Sequence, residues 1–512
     1  MSQRYLTTPI YYASGEPHLG HAYTTVLTDF LARYYRQNGS NVLFLTGTDE
    51  HGQKMQDAAT ENSIKPIELA DQMVEKFKIA WNDLNISYDR FIRTTETDHI
   101  AVVTTILEDL WEKNQIYKDI YSGWYCKHEE RYWTDSDVGP DKVCPDCKRT
   151  VGYVEEENYF FRMSNYQEQL IQHIENNPQW IVPETRKNEI LGFLAHPLKD
   201  LSISRPKSRL RWGITLPFDN DHVCYVWIDA LINYVTGSGS FELDKEKDRL
   251  SFTAAQKSWW PADLHIIGKD IITTHAVYWP TILMAAGLEL PKQILSHGWW
   301  IMGDTKMSKS IGNVVDPLAL RDHFGTDGIR WYLLRDMPTG DDATYNFKRF
   351  STRYEELANV FGNLASRVTS MIVRYRNGVV PKIGGSGLDT EIQSTLEAVT
   401  RDMGNFRIHN ALDAAMDLAR TANGYIDIQE PWMQAKKTEL QNELDDTLAT
   451  LFRTLTVLNA IFFPIIPEKM TDLAMALGLD GVPTIKEAMS IIPGGHKVSK
   501  VGPLFPKIGL DA

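Results

Sequence analysis

Residues 11–25 read YYASGEPHLGHAYTT, and what flanks this stretch decides the fold. Before it, RYLTTPIYY (residues 4–12) is β-branched and aromatic, the composition of a strand. After it, Leu19, Tyr23, Val26, Leu27, Phe30, Leu31 and Tyr34 recur at the spacing of one helix face, and Asn38-Gly39 supplies a stop. NVLFLTG (residues 41–47) is a short unbroken apolar run, as in a strand covered on both faces, and a second helix is expected to follow TDEHGQK. Strand, helix and buried strand form a βαβ unit, so a parallel sheet is expected. The strand-to-helix turn has neither the glycine pattern of dinucleotide-binding folds nor a P-loop. It carries His18 and His21 instead, one turn apart at a helix N-terminus, where imidazoles add donors to backbone N–H groups that already favour anions.

The rest of the chain sets bounds on this reading. At 512 residues it is too long for one core, and two to four domains are expected. Hydrophobic residues at 43% and charged residues at 23% are ordinary for a globular protein. No apolar run approaches the roughly 20 residues that span a bilayer, and MSQRYLTTPIYY is unlike a signal peptide, so a cytoplasmic protein with no membrane partner is expected. The net charge of −14 argues against a chain-wide basic surface for nucleic acid. Arg205, Lys207, Arg209 and Arg211 form a basic strip that would offer local phosphate contacts.

The character of the chain changes along its length. Residues 1–116 read as the first half of an α/β catalytic domain, and 117–222, with clustered cysteines and aromatics, as an inserted domain. The β-then-helix rhythm returns over 223–298, completing the sheet, and 299–350 reads as a loop and linker region. From 351 to 512 strands vanish. RYEELANVFGNLASRVTSMIVRY keeps a stripe through Leu357, Phe361, Leu364, Val368 and Met371, and two later segments do likewise, which predicts a helical bundle closed by a Pro/Gly-rich strap.

Three of the four cysteines lie in YCKHEERYWTDSDVGPDKVCPDCK (residues 125–148). CPDC, with Cys144 and Cys147, is half of a zinc knuckle. The other half reads CKHE, so Cys126 would be joined by His128 or by Glu129, or the motif is a relic that holds no metal. Cys224, in an apolar strand, reads as a core thiol.

Far downstream, GDTKMSKSIGN (residues 303–313) places Lys306 and Lys309 in a glycine-flanked loop. HLGH on a strand-to-helix turn followed by KMSKS beyond the sheet resembles the paired signature of class I aminoacyl-tRNA synthetases. TTPIYYASGEPHLGH, TGTDEHGQK, YVWIDALINY, IGKDIITTH, FGNLASR and EPWMQAK are all similar to the methionyl-tRNA synthetase family, and the likeness spans nearly the whole chain. The resemblance implies a class I Rossmann-like parallel sheet, an inserted connective domain and an all-α anticodon-binding bundle. It further implies a methionine–tRNA ligase that activates L-methionine with ATP and transfers it to the 3′ end of tRNA(Met).

Site residues follow from the resemblance by position. His18, Gly20, His21, Lys306 and Lys309 would hold ATP, with Mg²⁺ accompanying the nucleotide. Ile10, Tyr12, Asp49, Trp227, Ala230, Tyr234, Ile271 and His275 would line the methionine pocket, Asp49 holding the ammonium. Asn363, Arg367 and Trp432 would hydrogen-bond and stack anticodon bases, a toolkit suited to unpaired loop nucleotides. Zn²⁺ in the knuckle would be structural. A monomer is expected.

Three other readings fit less well. Leucine, isoleucine and valine synthetases carry a larger editing insertion than residues 117–222 can house, and a small nucleotidyltransferase shares the HxGH turn without needing the helical C-terminus. A non-catalytic tRNA-binding relative would have no use for the intact His18, His21, Lys306 and Lys309.

Overall fold

The computed structural model describes residues 2–127, 131–145, 147–244, 249–252, 259–302, 305–306, 315–382 and 384–506. Its centre is a seven-stranded sheet in which every pairing is parallel. Arg90–Arg93 lies along one edge of Asn41–Asp49, while Gln3–Thr7 and then Tyr11–Tyr12 run along its other edge. Leu264–Gly268, Ile294–His297 and Ile181–Val182 complete the order. The strands are apolar because both faces are covered, and adjacent residues part to opposite sides. Leu6, Leu27 and Phe44 join a core that continues through Trp331 and Tyr332 into the bundle. Tyr5, Leu45 and Ile267 join a second core with Ile106, Phe161, Trp180 and Trp279.

The interval 117–222 is less separate than the sequence suggests. It builds two small antiparallel sheets, one on the long pairing of Ile116–Cys126 with Gly152–Phe161, together with the helices Gln167–Asn176 and Glu184–Leu194. Ile181–Val182, however, returns to the edge of the parallel sheet, anchored where Ile294 donates to the Trp180 carbonyl at 2.7 Å and Trp180 Nε1 to the Pro291 carbonyl at 2.7 Å. A two-residue strand has too little periodicity to be seen in sequence.

Beyond the sheet, Pro317–Phe324 and Thr326–Asp336 lead into the bundle helices, which include Asn363–Arg376, Asp389–Gly404, Ile408–Gln429 and Gln441–Phe462. Arg330 ties the parts together from a fully buried position. Its guanidinium donates to Asp29 Oδ2 (2.6 Å) on the helix Leu19–Gln37, to the carbonyls of Leu84 (3.1 Å) and Asn85 (3.3 Å), and to those of Pro464 (3.0 Å) and Ile465 (2.8 Å) after the last long bundle helix. Residues 491–506 run across the bundle without helix: Val498 donates to the Gly378 carbonyl, and Tyr354 Oη to that of Pro506.

Candidate active site

The helix Leu19–Gln37 begins with a cap made by two histidines. His18, extended at φ −132°, accepts the Gly20 N–H on Nδ1 at 3.1 Å, and His21 Nδ1 accepts the His18 N–H at 3.3 Å. A ring nitrogen that accepts carries no proton, so each neutral imidazole holds its hydrogen on Nε2. The rings stack at 3.7 Å between centroids and 19° between planes, and Tyr11 and Phe77 back the second ring at 4.8 and 5.6 Å. Two Nε2–H donors are thus set side by side at a helix N-terminus. A Cβ on Gly20 would lie 3.0 Å from His18 Cε1, so this glycine leaves room for the first imidazole as well as for a ligand near the backbone.

Both histidines line a cleft of about 2180 Å³ at the carboxyl ends of the strands, where open parallel sheets bind ligands. The same cleft is lined by Gly20, expected beside ATP, and by Ile10, Tyr12, Asp49, Trp227, Ala230, Tyr234, Ile271 and His275, the eight residues expected for the amino-acid pocket. Asp49 ends the strand Asn41–Asp49, and Trp227, Ala230 and Tyr234 share the helix Val226–Gly237. His275 sits in a π-turn, Thr274–Tyr278, which re-aims side chains at functional sites. It donates from Nδ1 to the Ile271 carbonyl at 2.9 Å and accepts Tyr234 Oη on Nε2 at 2.7 Å. Burial pushes its pKa down to about 4, so the ring is neutral at physiological pH, and burial holds the Tyr234 hydroxyl far above its ordinary range.

Several lining residues were not singled out from the sequence, although Lys54 and Lys269 fall within TGTDEHGQK and IGKDIITTH. His297 ends the strand Ile294–His297, and Thr24 Oγ1 lies 2.8 Å from its Nε2. Lys54 sits 4.3 Å over the Tyr12 ring, and Lys269 pairs with Asp342 at 2.6 Å while covering Trp299. The loop bearing Asp342 comes this close because Gly298 has no side chain: a Cβ there would fall 2.0 Å from the Asp341 carbonyl oxygen. The signal available was topological, since His297 and Gly268 both close strands of the parallel sheet.

Lys306 ends the two-residue strand Thr305–Lys306, paired antiparallel with Trp300–Met302. Lys309 lies outside the described residues, as do His128 and Glu129.

The cysteine cluster is compact. The Sγ atoms of Cys126, Cys144 and Cys147 lie within 4.8 Å of one another, Cys126 to Cys147 at 3.5 Å, near the roughly 3.8 Å that tetrahedral thiolates around zinc require. Lys148 donates to the Cys144 carbonyl, closing a tight turn with Lys148 in the left-handed region at φ 59°. Burial raises the Cys147 thiol above its ordinary pKa. Cys224 is a buried thiol in the core, raised strongly by burial.

In the bundle, Asn363 is exposed, and Arg367 donates to Asn423 Oδ1 at 3.3 Å and Asp427 Oδ1 at 2.5 Å on the neighbouring helix Ile408–Gln429. Trp432, 38% exposed, follows that helix just past Glu430, whose φ of 46° turns the chain. Two of the four residues of the basic strip are engaged within the protein, while Arg211 is exposed. Arg205 is buried, its guanidinium 4.4 Å from the Tyr132 and Tyr225 rings, and Arg209 pairs with Glu156 at 2.8 Å. Neighbouring aromatics and an acid thus engage the charges of Arg205 and Arg209.

Comparison with known proteins bears on this arrangement directly. The family described as tRNA synthetases class I (M) matches residues 4–153 and 148–369, and an anticodon-binding domain of tRNA ligase matches 387–489. Methionine–tRNA ligase of Clostridium tetani is 45% identical over 518 residues, covering 99% of this chain and 79% of that protein. The chain belongs to the methionyl-tRNA synthetase family. The Thermotoga maritima methionine–tRNA ligase is 39% identical, covering 98% of this chain and 80% of its own. The structure of Mycobacterium tuberculosis methionyl-tRNA synthetase in complex with methionyl-adenylate superposes with a TM-score of 0.92 at 38% identity, covering 99% of this chain and 100% of that one. Among the described residues, no helix is long and apolar enough to cross a membrane.

Proposed function

We infer that this chain is a methionine–tRNA ligase, forming methionyl-adenylate and pyrophosphate from L-methionine and ATP and then transferring methionine to the 3′ end of tRNA(Met). The observation that carries the reading is one cleft lined both by the stacked histidines and by all eight amino-acid-pocket residues.

In the first step the methionine carboxylate attacks the α-phosphate of ATP and pyrophosphate leaves. The nucleophile is already ionised, so the protein needs no general base; it must align the reactants and neutralise charge growing on the phosphates. The Nε2–H donors of His18 and His21, added to the helix N-terminus, suit that charge. Lys306 and Lys309 would close on the same phosphates, and Mg²⁺ would accompany the nucleotide. Tyr12, Trp227 and Tyr234 offer aromatic surfaces to a polarizable thioether, neutral His275 adds no charge beside it, and Asp49 supplies a carboxylate for the substrate ammonium.

The bundle would read the anticodon through Asn363, Arg367 and Trp432. Zn²⁺ fits the three thiols of Cys126, Cys144 and Cys147, and would supply structural cross-linking of the inserted domain.

The test is ATP–pyrophosphate exchange with each amino acid in turn. Methionine should support exchange and leucine or isoleucine hardly at all; equal exchange with leucine would refute the assignment.

A further inference from the structure

Behind the pocket lies a buried carboxylate that the chemistry above does not use. Asp229, 1% exposed, sits in the first turn of the helix Val226–Gly237. His51 Nδ1 lies 2.6 Å from its Oδ2, and His99 Nε2 lies 2.8 Å from its Oδ1. Both imidazoles are buried as well, and His99 Nδ1 reaches Thr236 Oγ1 at 3.0 Å on the same helix. Burial disfavours the charged carboxyl, but the two imidazoles outweigh it and hold the group below its ordinary range. An ionised carboxylate only accepts, so both facing nitrogens must donate.

The three residues come from three elements. His51 lies in the loop that leaves the strand Asn41–Asp49, two residues beyond Asp49; His99 is near the start of Thr97–Glu112; Asp229 stands between Trp227 and Ala230. None of the three is among the described residues that line the cleft, whereas Asp49, Trp227 and Ala230 all are. His51 is itself braced: its ring lies 5.3 Å from Trp212, which donates Nε1–H to the Glu50 carbonyl at 2.5 Å and accepts the Gly52 N–H.

We propose that Asp229, clamped between His51 and His99, is a positioning residue that fixes the Trp227–Ala230 face against Asp49 and so sets the size selectivity of the amino-acid pocket. The proposal rests on the pocket assignment given above. A charge-assisted clamp with hydrogen bonds to both oxygens is stiffer than apolar packing, and stiffness at this wall is what separates methionine from an analogue one methylene longer.

Steady-state exchange on the full chain tests it, with methionine and ethionine as substrates. Asp229→Asn presents an amide where one histidine expects an acceptor. It should raise the methionine KM about 10-fold with ATP KM unchanged, and should raise the ethionine-to-methionine ratio of kcat/KM. Should that variant not fold, the His99 pair decides: His99→Gln keeps a donor near the Nε2 position and should retain selectivity, whereas His99→Leu should lose it. Unchanged methionine KM and selectivity in a folded Asp229→Asn, or equal behaviour of the two His99 variants, would overturn the clamp. Trp227→Ala separates the two readings. If it raises the methionine KM while Asp229→Asn does not, the clamp fails alone; if Trp227→Ala has no effect on methionine, the pocket assignment fails and the clamp with it.

Discussion

The backbone N–H of Leu19, the first residue of the helix behind the histidine cap, donates to the carbonyl of Val315 at 3.2 Å. Val315 is the first described residue after the KMSKS stretch, so the chain leaving the second signature is fastened to the helix that begins with the first. The two lysines therefore belong to a segment whose far end is held at the N-terminus where phosphates would collect.

The role proposed for Lys309 can be tested directly. Lys309→Ala should slow methionine activation about 10²-fold while leaving methionine KM nearly unchanged, because the lost interaction develops with charge on the phosphates. Pre-steady-state adenylate formation is the measurement, and an unaltered rate would remove this lysine from the reaction.

Gly20→Ala should divide stability from activity. Alanine is the better helix former by about 1 kcal/mol, yet its Cβ would push on His18, 3.0 Å away. Thermal melts should show an unchanged or slightly higher Tm beside an activation rate lower by about 10-fold or more.

Arg367 and Trp432 belong to the bundle, apart from the cleft residues. Alanine at either position should spare pyrophosphate exchange and depress aminoacylation, with about 1–3 kcal/mol lost from base stacking for the tryptophan. Equal loss in both assays would make these residues structural.

For the cysteine cluster, elemental measurement on protein purified without chelator should find close to one zinc per chain. Cys144→Ser should lose the metal and melt at a lower temperature. A metal-free parent that melts like its Cys144→Ser variant would leave CPDC as a relic, with Val138, Val151 and the tryptophans beside them holding the insertion.

Asp327 predicts a pH dependence of stability. Burial raises its carboxyl to about 6, against which the Lys469 N–H at 2.7 Å and the Arg330 charge work only partly. Between an unfolded value of about 3.9 and the folded value the native state holds a proton that the unfolded chain has released. Stability from this group is thus full below about pH 4, falls as pH rises toward 6, and stays reduced above. Asp327→Asn keeps an acceptor for Lys469 and cannot ionise. It should be more stable than the parent by about 1–3 kcal/mol at pH 7.5, with the gap closing near pH 4 in denaturant titrations.

Much of this molecule is legible from the chain, for reasons that differ by residue. The helix Leu19–Gln37 and the strand Asn41–Asp49 announce themselves because burial on one stripe or on both faces imposes a period. The cleft residues were reachable by resemblance, since TDEH, WIDALINY and KDIITTH keep their order. The rest depends on partners that are remote in sequence. Nothing in ILSHGWW marks His297 as facing Thr24, and nothing in TDEH pairs His51 with Asp229. Arg205 and Arg209 mislead for the same reason: their spacing is visible, but Tyr132 and Glu156, which engage them, come from other strands.

Arg330 bears on how the molecule comes apart. Its cation sits dry between a carboxylate on the signature helix and carbonyls that follow the last long bundle helix, and breaking a buried pair of this kind costs about 3–5 kcal/mol. Sheet and bundle are therefore expected to melt together, and a substitution that loosens the bundle at this seam should destabilise the helix Leu19–Gln37 as well.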